Sequence, residues 1–116
     1  INFRLSQDAV AIKEVDDYLS VLEELQKSKE AIVFLQELLK ERPNQGELRK
    51  RLAEVYLRTG QTVRAIEQMD QLADKLLDQG DTWGAIETLE AIIALEPSNV
   101  DEYRQVLQQV KFGKNK

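Results

Sequence analysis

The sequence predicts an all-α fold of about six helices, packed as antiparallel pairs and stacked into a short α-solenoid. Three observations carry that expectation. Apolar residues recur at helical spacing nearly throughout, and no segment sustains a period of two. Glycine, proline and short polar residues cut this pattern into segments joined by only two to five residues, which folds successive helices back on one another. The same apolar pattern also returns along the chain.

The first helix, expected over 7–26, carries Val15, Tyr18, Leu19, Leu22 and Leu25 on one stripe. The second, 29–41, carries Ala31, Ile32, Leu35, Leu38 and Leu39, with Val33 and Phe34 broadening its apolar face, and stops before Pro43. The third, 46–59, carries Leu48, Leu52, Val55 and Tyr56 and is closed by Gly60. The fourth, 62–79, runs from Ala65 and Ile66 through Met69, Leu72, Ala73, Leu76 and Leu77 to Gly80. The fifth, 82–95, carries Ala85, Ile86, Leu89, Ile92 and Ile93 and ends before Pro97. The sixth, 99–111, carries Tyr103, Val106, Leu107 and Val110, and residues 112–116 read as a fraying tail. Ser28, Thr62, Asp81 or Thr82, and Ser98 or Asn99 are the expected N-caps. The stripe tyrosines Tyr18, Tyr56 and Tyr103 are expected in the core, and Trp83 is expected to cover the turn before it.

Composition narrows the chemistry. The 116 residues hold no Cys and no His, so thiolate chemistry, disulfides and the commonest general base and metal ligand are absent. The formal charge of −5 argues against a nucleic-acid surface, which needs a basic excess. Uninterrupted apolar runs are a few residues long, far below the roughly 20 of a membrane span. The opening residues, Ile1-Asn2-Phe3-Arg4-Leu5, show neither an initiator Met nor a signal-peptide layout. A fragment of a longer, cytoplasmic protein is therefore expected.

Catalytic constellations are missing. Asp16-Asp17, Glu23-Glu24 and Glu37 with Glu41 alternate with Lys and Gln on polar helix faces, the pattern of a solvated surface. Asp70, Asp74 and Asp78 share one helical face, but one straight helix rarely wraps an ion. The serines have no His to activate them, and the five glycines are scattered rather than gathered in a phosphate loop. The basic cluster Arg49, Lys50, Arg51, Arg58 and Arg64 is expected to pair with Glu47, Glu54 and Glu67. Neither enzyme activity nor a metal or cofactor is expected.

The internal repeat is Ala31-Ile32, Ala65-Ile66 and Ala85-Ile86, each followed by large apolar residues four and seven positions on. The interval from Ala31 to Ala65 is 34 residues, and 34 is the period of the tetratricopeptide helix–turn–helix. The run Leu52-Ala53-Glu54-Val55-Tyr56, with Ala65 and with Met69 for the usual aromatic, resembles that repeat, and Pro43 and Pro97 match its closing proline. There are departures. Arg49 stands where the repeat has Trp, Leu77 where it has Pro, and Ala85 follows Ala65 by only 20 residues. The fourth helix is therefore expected to serve two units, 46–79 and an overlapping 66–99, after a first unit 12–45. The last helix, 99–111, is then the cap.

The resemblance implies a scaffold that binds a peptide or partner helix on a concave face lined by each unit's first helix. The matching positions are Glu47, Lys50, Glu54, Leu57 and Arg58 in one unit, and Glu67, Asp70, Asp74, Leu77 and Asp78 in the next. The first unit contributes Lys13, Asp16, Ser20, Glu23 and Glu24. Glu54 stands where the carboxylate-clamp members of the family carry Asn, and it would repel a peptide C-terminus. Acidic residues dominate these positions, so a basic or amphipathic partner is expected. A bacterial regulatory or assembly role follows only by analogy of fold. The alternative is a structural spacer or self-association segment of a larger multidomain protein.

Overall fold

The computed structural model describes residues 8–113, with side chains from residue 12 onward. The expected helix start at residue 7 and the end of the expected tail, 114–116, lie outside the described residues. Six helices follow in order: α1 (Asp8–Glu24), α2 (Ser28–Glu41), α3 (Gly46–Arg58), α4 (Thr62–Asp78), α5 (Thr82–Ala94) and α6 (Val100–Phe112). Each packs on the next, and there is no strand among the described residues. The array measures 45 × 33 × 18 Å, and its thin dimension is that of two helix layers.

The turns fall into two kinds. Those between α1 and α2, α3 and α4, and α4 and α5 are three residues long and share one geometry. In each, a left-handed residue closes the helix: Gln26 at φ 58°, Gly60 at 78° and Gly80 at 82°. The next N–H reaches back to a carbonyl of the last turn, Lys27 to Leu22, Gln61 to Tyr56 and Asp81 to Leu76, all at 2.8 Å. The turn after α5 also has a left-handed residue, Glu96 at φ 55°, but the residue that follows is Pro97, which cannot donate the back-reaching bond; the turn after α2 contains Pro43. Helix α4 thus has the same kind of turn at both ends.

The caps correct one expectation. Ser28 and Thr62 are the first residues inside their helices, and the N-cap positions are Lys27 and Gln61, without a side-chain bond. Asp81 does cap α5: its Oδ1 accepts from the Gly84 N–H at 2.9 Å. Asn99 occupies the cap of α6 but turns its amide to Glu102 at 3.2 Å.

Two apolar clusters fill the interior. The larger joins Val15, Leu19 and Leu22 of α1, Ala31, Leu35 and Leu39 of α2, Leu48, Leu52, Val55 and Tyr56 of α3, and Ala65 of α4. The smaller joins Ala73, Leu89 and Ile92, with Tyr103, Leu107 and Val110 of α6 laid against it. Met69 packs against both and makes them continuous. Ala31, Ala65 and Ala85, the repeated alanines, are all buried, which lets neighbouring helices approach closely.

Tyr56 is buried as expected, its hydroxyl accepting from Gln36 at 3.0 Å, and Tyr103 is half-buried. Tyr18 is 42% exposed and meets Phe34 edge to face, ring centres 4.7 Å apart, so it closes the outside of the α1–α2 pair rather than the core. Trp83 is not packed over the preceding turn; it is 70% exposed.

Candidate functional site

A groove of about 600 Å³ opens between α3 and α5, with α4 as its floor. The floor is apolar: Met69, Leu72 and Leu76, joined by Ala53 and Leu57 from α3. Small residues give the groove its depth. Gly46 and Ala53 lie seven apart on α3, and Gly84 and Ala91 lie seven apart on α5. Two helical turns separate the members of each pair, so each helix presents a shallow stripe to the cavity. A Cβ on Gly46 would sit 3.0 Å from Leu72 Cδ1, and one on Gly84 would meet the capping Asp81 carboxylate at 2.7 Å.

The polar rim is partly engaged. Glu47 is held by the Arg51 guanidinium and lies 3.9 Å from Lys50. Lys75 donates to Asn44 Oδ1 at 2.5 Å, Thr88 donates to the Gly84 carbonyl at 2.9 Å, and Asp81 is committed to its cap. Glu54 and Glu87 face the groove with no ion pair among the described residues. The lining holds four carboxylates, Glu47, Glu54, Asp81 and Glu87, against two ammonium groups, Lys50 and Lys75. Its field is therefore negative.

The structure divides the sequence-predicted residues. Glu47, Lys50, Glu54 and Leu57 line the groove together. Arg58 turns away to Glu23 of α1, 3.8 Å off. Asp70, Asp74 and Asp78 do not line it. At 100° per residue their stripe lies roughly 150° around α4 from the groove residues Leu72, Lys75 and Gln79. That stripe faces the α6 side, where burial and then the Asp74 charge raise the Asp70 pKa, and burial and then Asp70 raise that of Tyr103. Glu67 and Leu77 are also outside the lining.

Three of the five positions expected from the first unit, Lys13, Asp16 and Glu23, are bound up in ion pairs. Asp16 takes two hydrogen bonds from Arg51, at 2.9 and 3.0 Å, and these hold its carboxyl below the usual range. Asp16–Arg51 and Glu23–Arg58 are both spaced 35 residues apart and stitch α1 to α3 along one edge. Lys13 pairs with Asp17 at 3.3 Å, and Ser20 and Glu24 are exposed.

The basic cluster therefore pairs partly within its own helix, through Glu47, and partly across to α1. Arg49 has another role. Its guanidinium donates to Gln68 at 3.1 Å, Gln71 at 3.0 Å and the Pro43 carbonyl at 2.9 Å. It clamps α3, α4 and the turn before α3 from the position where a Trp was expected, and burial lowers its pKa.

The α5 wall, Gly84, Glu87, Thr88 and Ala91, was not anticipated from the sequence. The matching seven-residue spacing of small residues on α3 and α5 is the signal that could have found it.

Among the described residues no helix is long and apolar enough to cross a membrane. Residues 22–75, from the end of α1 through most of α4, match the tetratricopeptide repeat family. The six-helix array is consistent with that match. No curated protein matches the chain.

Proposed function

We propose a non-enzymatic binding domain, starting from the match of residues 22–75 to the tetratricopeptide repeat family, whose members are generally protein–protein interaction modules. It holds a basic, amphipathic segment of a partner protein in the groove between α3 and α5. The observation that carries this reading is the groove itself, an apolar floor under an acidic rim in which Glu54 and Glu87 lack ion partners among the described residues. An apolar stripe on the ligand would cover Leu57, Met69 and Leu76, and its cations would meet the two carboxylates. A ligand C-terminus fits poorly, because Lys50 already lies beside Glu47 and Glu54 is adjacent.

The test is a titration with a labelled amphipathic peptide of Leu, Ala and Lys, against a scrambled peptide of equal charge. Affinity for the first should fall as salt rises, since exposed charge pairs are screened within about 10 Å at 0.1 M. Equal affinity for the scrambled peptide, or binding indifferent to salt, would contradict the reading.

The turns support the overlapping register, with units 12–45, 46–79 and 66–99. Both ends of α4 carry the turn found within a pair, and the prolines mark the turns between pairs. In that register α6 caps the smaller apolar cluster. A second reading, self-association as part of a larger protein, is favoured by α6, which has no buried residue and leaves Val106 and Phe112 exposed. Light scattering over a concentration series separates the two. A mass steady near 13.3 kDa supports the capped binding domain, and a rising mass supports association.

A further inference from the structure

Trp83 is the only Trp in the chain and is 70% exposed, leaving most of its indole open to a ligand. It sits on the first turn of α5, whose core side is formed by Ala85, Leu89 and Ile92. Glu87 lies four residues on, one turn along the same face, and lines the groove. The other carboxylates nearby are occupied: Asp81 by the helix cap and Glu90 by Lys111 at 3.4 Å. Trp83 does not itself line the groove, but its helical spacing sets the indole beside Glu87, a lining carboxylate with no ion partner among the described residues.

We infer that Trp83 and Glu87 form a receptor for one arginine of the bound segment, the guanidinium lying on the indole face and donating to the carboxylate. Both contacts suit a planar guanidinium better than an ammonium: it stacks flat on the ring, and its parallel N–H groups match two carboxylate oxygens. The acidic field of the groove brings the cation to the rim, and the stack then selects Arg over Lys. This rests on the groove reading above and adds to it the identity of the recognised side chain.

The experiment uses an amphipathic Leu/Ala peptide with arginine at its basic positions, free of aromatic residues, and a twin with lysine there. Binding is followed by anisotropy of the labelled peptide and, separately, by the emission of Trp83 itself. The expected result is a change in Trp83 emission that saturates with binding. The arginine peptide should bind roughly fivefold to thirtyfold more tightly than its twin, a preference lost in Trp83→Leu and Glu87→Gln. Trp83→Phe should keep part of it. These positions are exposed, and an unchanged thermal midpoint confirms that each variant is folded. If both peptides bind equally, or Trp83→Leu leaves the preference intact, the arginine receptor is wrong. The groove reading survives that result if Leu57→Asp still abolishes binding. If neither peptide binds the unaltered chain, both readings fall.

Discussion

Arg51 bonds both Asp16 of α1 and Glu47 of its own helix, and these bonds set a pH dependence. Its guanidinium holds Asp16 below the ordinary carboxylate pKa of 3.8. A carboxyl whose folded pKa is lowered contributes stability that is present above its unfolded value and is lost as pH falls through the folded one. The α1–α3 contact should therefore weaken below about pH 4, and Arg51→Ala should flatten that part of a stability–pH profile. Because both partners are partly exposed, the loss at neutral pH should stay within about 1 kcal/mol in urea denaturation. Leu35, fully buried between helices, belongs to another class: Leu35→Ala should cost about 2–5 kcal/mol in the same assay. Leu35 was legible as core because burial follows the stripe. The exposure of Trp83 was not, because a Trp near a helix start can lie over the turn or point outward, and the path of the neighbouring helix decides.

At the scale of elements, three turns of one geometry make a controlled comparison. Gly60 and Gly80 sit at φ 78° and 82° with open space where a Cβ would go, so alanine there meets backbone strain and nothing else. Gly60→Ala and Gly80→Ala should each cost about 1 kcal/mol. Gln26 occupies the matching place at φ 58° and already bears that strain. Gln26→Gly should shift the other way, raising stability by a few tenths to about 1 kcal/mol. Urea midpoints of the three variants check both signs. The glycine-closed turns were readable from the sequence, and the Gln26 turn was not, since its residue type does not announce a left-handed backbone. Helix limits came within two residues because apolar period and punctuation agreed. The caps did not, because Ser28 and Thr62 lie one position inside their helices.

Over the whole molecule, burial declines toward α6. Helix α3 contributes five buried residues and α6 none, and repeat arrays open from their ends. Amide hydrogen exchange should therefore release α6 first and hold α3 longest. Equal protection along the array would mean that it opens only as one unit. The stacked fold was legible because the repeats are local in sequence. The groove was legible on one wall only. Helix α4 is apolar on both its α3 and α5 sides, and its charged stripe at Asp70, Asp74 and Asp78 has the spacing of a binding surface, yet only packing decides which side opens. If the surface in use is the α3–α5 groove, amide chemical-shift mapping with the arginine peptide will locate it there. Shifts are expected along Lys50, Glu54 and Leu57 on one wall and Gly84, Glu87 and Ala91 on the other. Shifts gathered instead at Asp70, Asp74 and Asp78 would contradict that expectation and place the binding surface on the opposite face.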